Sequence, residues 1–224
     1  MSSDASPLGP LDRAAVVLWL QKWRWYQRSR LPWNRLWLHA ELARRQAFAR
    51  GPLHGNVLAM LRERRLLIGA HAVFEPGVWL TSDTGRIVIG AGAMLNLNVM
   101  VAAVERVEIG EHSMLANGCL VTDANHRFDD PDRPVPWQGF TTKGPTLIGD
   151  NVWLGANVVV TSGVTIGRRS VIGANSVVID DIPPFSIAAG APAQVLRQVR
   201  YPDEPDPAIS PRDARGPNGD DLVP

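Results

Sequence analysis

The chain reads as an all-β solenoid of short parallel strands with an α-helical N-terminal region. Three observations predict this. Isoleucine followed by glycine recurs at Ile68-Gly69, Ile89-Gly90, Ile109-Gly110, Ile148-Gly149, Ile166-Gly167 and Ile172-Gly173, with Leu154-Gly155 as a variant. From Ile148 an aliphatic side chain returns at every sixth place, through Leu154, Val160, Ile166, Ile172 and Val178. An alternating strand would repeat every second residue and an amphipathic helix about every 3.6, so neither accounts for the pattern.

Cut at the aliphatic positions, the middle of the chain gives five coils of three hexapeptides: 68–85, 89–106, 109–126, 148–165 and 166–183. The first position is Ile, Leu, Val or Phe in all fifteen hexapeptides, and the fifth is mostly small or β-branched, as at Ala72, Val99, Ser113 and Val164. This predicts a triangular prism with one hexapeptide on each face. First-position side chains fill the interior, and small fifth-position residues fit where a corner narrows it. Coils stacked at the strand spacing, about 4.8 Å, would span roughly 24 Å. Cys119 holds a fifth position and is expected in the core.

Charge divides the chain into three regions. Residues 1–67 hold twelve basic and four acidic side chains, residues 68–200 nine and twelve, and residues 201–224 two and six. The first region is expected to be helical, basic and Trp-rich. Val16, Trp19, Trp23 and Tyr26 share one helical face, and Pro32 separates a second helix with a stripe of Trp33, Leu36, Trp37 and Ala40. A third short helix, from Val57 to Arg65, leads into the first coil. An open solenoid end exposes unpaired strands and needs a cap, so packing is one expectation for these helices. Peripheral contact of residues 11–50 with an anionic membrane, through Trp and Arg, is the other. No nucleic-acid reader fold accompanies the basic residues. The Pro-, Asp- and Gly-rich residues 201–224 are expected to be disordered. No apolar run has the length to span a bilayer, no signal peptide is legible, and the lone cysteine suits a reducing compartment. The expected location is cytoplasmic, at the inner membrane face if membrane contact holds.

The period stops after His126 for twenty-one residues, 127–147, rich in Pro, charge and aromatics. A long loop in a solenoid commonly serves a site, and this one begins directly after an imidazole. His126 is therefore the candidate for proton transfer, since imidazole titrates near neutral pH. Asp123 either orients that ring or sits in an exposed turn. Trp137 either stacks on a sugar ring or packs against a neighbouring subunit. A metal is not expected, because His71, His112 and His126 lack the close pairing on one coil that a zinc ion needs.

Residues 96–197 carry Ile148-Gly149-Asp150-Asn151-Val152-Trp153-Leu154-Gly155, then Gly163-Val164-Thr165-Ile166-Gly167, Ile182-Pro183-Pro184 and Ala189-Gly190-Ala191-Pro192. This half of the chain resembles the maltose, galactoside and polysaccharide O-acetyltransferase branch of the hexapeptide-repeat acyltransferases. The resemblance implies a left-handed parallel β-helix, against the general preference for right-handed crossovers. It also implies acetyl-CoA as donor, His126 as the catalytic base and Asn96 at the acetyl-transfer site. Trp153, Ala156, Ala174, Ile179, Asp180, Gln194 and Arg197 would line the coenzyme A groove. Asp180 stands where relatives often have Lys or Arg, and Gln194 where they often have Arg; Arg168, Arg169 and Arg197 are the candidates to replace those contacts. Residues 184–200 are expected to run back along the prism.

Asn96 is eighth in its coil and His126 eighteenth in the next, so they fall on different sides of the prism. That predicts a site shared between subunits of a closed ring, a homotrimer by the family resemblance. The leading expectation is acetyl transfer to a hydroxyl of a sugar or glycan-type acceptor. N-acyl transfer to an amino sugar, O-transfer from a longer acyl-CoA, and a non-catalytic solenoid scaffold are the alternatives.

Overall fold

A computed structural model describes residues 32–200. The expected first helix, with Val16, Trp19, Trp23 and Tyr26, and the expected disorder of 201–224 lie outside the described residues. Three parallel sheets form the faces of a prism. Face A stacks strands Phe48–Ala49, Val73–Phe74, Met94–Leu95, Met114–Leu115, Trp153–Leu154, Val171–Ile172 and Ser186–Gly190, and the antiparallel strand Ala193–Gln198 ends it. Face B stacks His54–Gly55, Trp79–Ser82, Met100–Ala103, Leu120–Thr122, Val159–Val160 and Val177–Val178. Face C stacks Leu66–Ile68, Arg86–Ile89, Arg106–Ile109, Thr146–Ile148 and Thr165–Ile166.

The hexapeptide rhythm becomes three interior columns. Phe74, Leu95, Leu115, Leu154 and Ile172 are directly paired in succession on face A. Leu80, Val101, Val121, Val160 and Val178 do the same on face B. Ile68, Ile89, Ile109, Ile148 and Ile166 do so on face C. All fifteen side chains are buried, as are the fifth-position residues other than Thr84, Glu105 and Asn125, Cys119 among the buried ones. Leu115 pairs with Leu154 across the long loop without a register shift, so the insertion leaves from a corner and the column continues.

Two corners depend on left-handed backbone. Between faces C and A, His71, His112, Asn151 and Arg169 have φ of 54–62°. Between faces A and B, Asn98, Asn157 and Asn175 have φ of 56–58°. Asn tolerates this region better than most residues, and Asn157 Nδ2 donates to Asn175 Oδ1 at 3.2 Å.

The solenoid has about six turns, one more than the hexapeptides predict. Strands Phe48–Ala49 and His54–Gly55 lie inside the stretch expected to be helical, and they pair with Val73–Phe74 and Trp79–Leu80. Their interior positions are Ala49 and Gly55, too small to register as part of an aliphatic rhythm. At Gly55 only glycine fits: φ is 93° and a Cβ would lie 1.9 Å from the Leu80 carbonyl oxygen.

Helix α1 (Pro32–Arg44) and helix α2 (Val57–Arg62) close this end. Of the helix α1 stripe read from sequence only Trp37 packs against the core: Trp33 is 78% and Leu36 63% exposed, and Ala40 is exposed too. Leu42 is buried, and Trp37 and Leu38 are partly buried against the core, because the helix meets strand Phe48–Ala49 through its C-terminal half. Helix α2 buries Val57, Met60 and Leu61. At the other end residues 184–200 do not run back along the prism. The chain turns at residues 190–192 and pairs Ala193–Gln198 with Ser186–Gly190 as a hairpin.

Candidate active site

His126 sits where the chain leaves the solenoid. Strand Leu120–Thr122 is this coil's contribution to face B, Asp123 and Ala124 take the corner after it, and Asn125–His126 then pairs antiparallel with Phe140–Thr141 instead of entering face C. Arg127 N–H donates to the Gly139 carbonyl at 3.1 Å. The loop is thus tied at its root by a two-residue ladder, with His126 directly opposite Phe140. The two rings lie 4.5 Å apart at 40°, and the imidazole is solvent-exposed. Sequence reasoning missed Phe140; its place at the loop's return was the only available signal.

Asp123 is neither an exposed turn residue nor hydrogen-bonded to the imidazole. It is fully buried. Its Oδ1 accepts from Val104 N–H at 2.7 Å, and its Oδ2 accepts from Glu105 and Arg106 N–H at 2.8 and 2.5 Å. The carboxylate therefore caps three backbone donors of the preceding coil's corner.

Beside the root lies a cleft of about 200 Å³, walled by residues 81–84 and 102–104 and closed by Ala124 and Phe140. Thr81, Ser82, Asp83 and Thr84 give one wall hydroxyl and carboxylate character. The loop beyond carries a 3₁₀ turn, Val135–Trp137. Gln138 braces it, donating from Nε2 to the carbonyls of Asp130 and Arg133 and accepting from Asp130 N–H. Phe128, Val135 and Trp137 are exposed on its surface.

Asn96 follows strand Met94–Leu95 at the corner between faces A and B, and its Nδ2 donates to the Leu115 carbonyl at 3.1 Å. His126 stands past the opposite edge of face B, so the structure does not bring the two together within one chain. Among the groove candidates, Trp153 points outward from face A, 49% exposed. Ala156 and Ala174 are stacked on successive coils at the corner between faces A and B, where Asn175 N–H donates to the Ala156 carbonyl at 2.8 Å. Gln194 and Arg197 lie exposed on the final strand, opposite Ala189 and Ile187. Ile179 and Asp180 are exposed beyond the last strand of face B, across that face from the rest. Arg168 lies over the Phe185 ring at 4.8 Å. Cys119 Sγ contacts the Gly155 carbonyl at 3.1 Å, and burial pushes its thiol pKa up. Among the described residues no three His, Cys, Asp or Glu side chains gather as metal ligands; His71 and His112 serve the corner between faces C and A.

Known proteins share both this architecture and the residues that build it. The family model described as bacterial transferase hexapeptide (six repeats) matches residues 145–180. The galactoside O-acetyltransferase of Escherichia coli (strain K12) is 34% identical over 146 residues, covering 65% of this chain and 70% of that protein. The hexapeptide-repeat-containing acetyltransferase VCA0836 of Vibrio cholerae O1 biovar eltor, solved with acetyl coenzyme A, superposes with a TM-score of 0.51 at 34% identity, over 64% of this chain and 76% of that one. AntD, an N-acyltransferase from Bacillus cereus, shares the fold with a TM-score of 0.58 over 73% of this chain and 90% of that one, at 18% identity. A hexapeptide prism matched at this identity over most of a galactoside O-acetyltransferase's length means that the chain belongs to the hexapeptide-repeat acyltransferase family.

Proposed function

We propose that this protein moves an acetyl group from acetyl-CoA to a hydroxyl of a sugar or glycan-type acceptor, with His126 as the general base. The observation that carries the base assignment is an exposed imidazole, held by a strand pair at a loop root beside a cleft with a hydroxyl-bearing wall. The relatives named for galactoside O-acetyl transfer and for bound acetyl coenzyme A support the reaction class.

The chemistry follows from that placement. The acceptor hydroxyl is too weak an acid to ionise alone, so His126 takes its proton as the oxygen attacks the thioester carbonyl. The tetrahedral oxyanion needs a donor, and Asn96 Nδ2 has a second N–H beyond the one given to Leu115. When the carbon–sulfur bond breaks, the imidazolium returns its proton to the coenzyme A thiolate. No covalent intermediate on the enzyme is required.

Because Asn96 and His126 stand at opposite edges of face B, the site is completed between subunits of a homotrimer. Asn96, Ala156, Ala174 and Trp153 of one chain would face His126 of the next, with the pantetheine arm between them. The exposed outward row Phe48, Met114 and Trp153 on face A supports burial of that face against a partner. Gln194 and Arg197 of the first chain, and Ile179 and Asp180 on the His126 side of the next, would meet the donor's far end, with Arg168 and Arg169 as the candidate basic contacts.

Thiol release from acetyl-CoA with a panel of glycosides and glycans, followed by mass spectrometry, tests the reading. His126→Ala should abolish it; turnover with none of the acceptors would favour the scaffold alternative. A product acetyl group released by mild alkali identifies an ester and excludes N-transfer.

Exposed Trp33 and Leu36 on the basic N-terminal cap favour one further property, peripheral contact with anionic membrane. Flotation with anionic liposomes, lost in a Trp33→Ser/Leu36→Ser double variant, would support it. Equal flotation of both proteins would remove it. No helix among the described residues is long and apolar enough to cross a membrane.

A further inference from the structure

We infer that Asp123 is a positioning residue for His126, the centre of a buried polar knot that holds the loop root in place for proton transfer. The inference rests on His126 being the base and adds what fixes it.

Position is the first argument. Equivalent places two residues beyond the interior aliphatic of face B hold Ser82, Ala103 and Ser162, all small, neutral and buried, and in the last coil Asp180, whose side chain is exposed to solvent. The corner itself therefore needs no charge. A buried carboxylate occurs in the coil that ends in His126, three residues before it, and burying a charge without a cation is costly unless several donors compensate. Three backbone N–H groups of residues 104–106 do so.

Connectivity is the second. At this corner the chain leaves the prism, so the usual face C ladder cannot hold residues 124–126. The backbone is tied to the following coil instead. Ser162 Oγ donates to the Asp123 carbonyl at 2.5 Å and accepts from Lys143 N–H at 2.8 Å. Thr146 Oγ1 shares its one proton between the Thr122 carbonyl at 3.0 Å and the Thr161 carbonyl at 3.1 Å, and accepts from Gly163 N–H at 3.1 Å. Ser162 thus joins the departing and returning arms of the loop, while the Asp123 side chain joins the departing arm to the coil before. All three side chains are buried. If any tie slackens, the ladder between Asn125–His126 and Phe140–Thr141 swings as a unit and the imidazole moves with it. A displacement near 1 Å costs about 10²-fold in rate when the reacting geometry is lost.

The test compares Asp123→Asn with Ser170→Ala. Ser170 is buried at another corner, donating to the Pro183 carbonyl and accepting from Ser186 N–H, so it reports generic loss of a buried hydrogen bond. Steady-state kinetics and the His126 ring resonances, assigned with His126→Gln, are recorded below the unfolding transition. Asp123→Asn should lower kcat about 10²-fold, leave KM for acetyl-CoA within about twofold and shift the His126 resonances. Ser170→Ala should keep kcat despite a similar fall in Tm. Equal kcat in the two variants, or unmoved His126 resonances, would overturn the inference. Should Asp123→Asn not fold, Ser162→Ala and Thr146→Val decide it by the same readouts, at about a tenfold kcat loss each. Wild-type turnover in His126→Ala removes the base and this inference with it. An inactive His126→Ala beside a fully active Asp123→Asn removes the positioning role alone.

Discussion

A mixing experiment puts the shared site at risk most directly. His126→Ala removes the proposed general base and should retain about 10⁻² to 10⁻⁴ of the wild-type rate. Asn96→Ala removes the proposed oxyanion donor and should lose about 10²–10³-fold. The side chains stand at opposite edges of face B, so under the proposed arrangement each site takes His126 from one subunit and Asn96 from its neighbour. If equal amounts of the two variants are unfolded together and refolded, a working site needs an Asn96→Ala chain supplying His126 beside a His126→Ala chain supplying Asn96. Random assembly in a closed ring meets both conditions at about one site in four. Differently tagged chains allow mixed rings to be purified, and thiol release from acetyl-CoA with a working acceptor reads the outcome. Recovery near a quarter of wild-type activity is expected in the unsorted mixture, and near a third in purified mixed trimers, against background in either variant alone. Background activity in purified mixed rings would refute the reasoning, since it would place both residues in one subunit's site.

Other predictions concern the prism itself. Leu154→Ala hollows the interior column between Leu115 and Ile172 and should cost about 2–5 kcal/mol by denaturant unfolding. Trp153→Ala, on the outer side of the same strand, should change stability by about 0.5 kcal/mol or less while raising KM for acetyl-CoA; an unchanged KM would remove Trp153 from the groove. Cys119, with its thiol pKa raised by burial, should react with a disulfide reagent at a pH of about 8 only as fast as the protein opens. Fast stoichiometric labelling of native protein would contradict its core position. Arg127 holds the Asp129 carboxyl below its ordinary range. Stabilisation from that pair is present above the unfolded carboxyl pKa and lost as pH falls through the lowered folded value. Both side chains are exposed, so Asp129→Asn should leave Tm at neutral pH nearly unchanged.

How much could be read without coordinates depended on the range of the interaction. All fifteen first-position residues were legible because each coil repeats one local rule, a large aliphatic followed by a tight corner. The extra N-terminal turn was not, because Ala49 and Gly55 fill the interior there without an aliphatic signature. Helix α1 was legible as a helix, but its packing face depends on where its C-terminal half meets strand Phe48–Ala49. His126 stood out because the rhythm ended at it, and Asn96 and His126 could be assigned to different sides by counting around the coil.

The sequence by itself determined the repeating prism, the corner after which the chain leaves it and the imidazole at that corner, since period and spacing are properties of neighbouring residues. Only the tertiary structure decided that Asp123 is buried, that Phe140 lies against the imidazole and that Ser162 joins both arms of the loop. Those contacts link residues 14 to 39 apart in the chain. Stacking one coil on the next creates them, and no local pattern records which donor a corner will meet in the neighbouring layer.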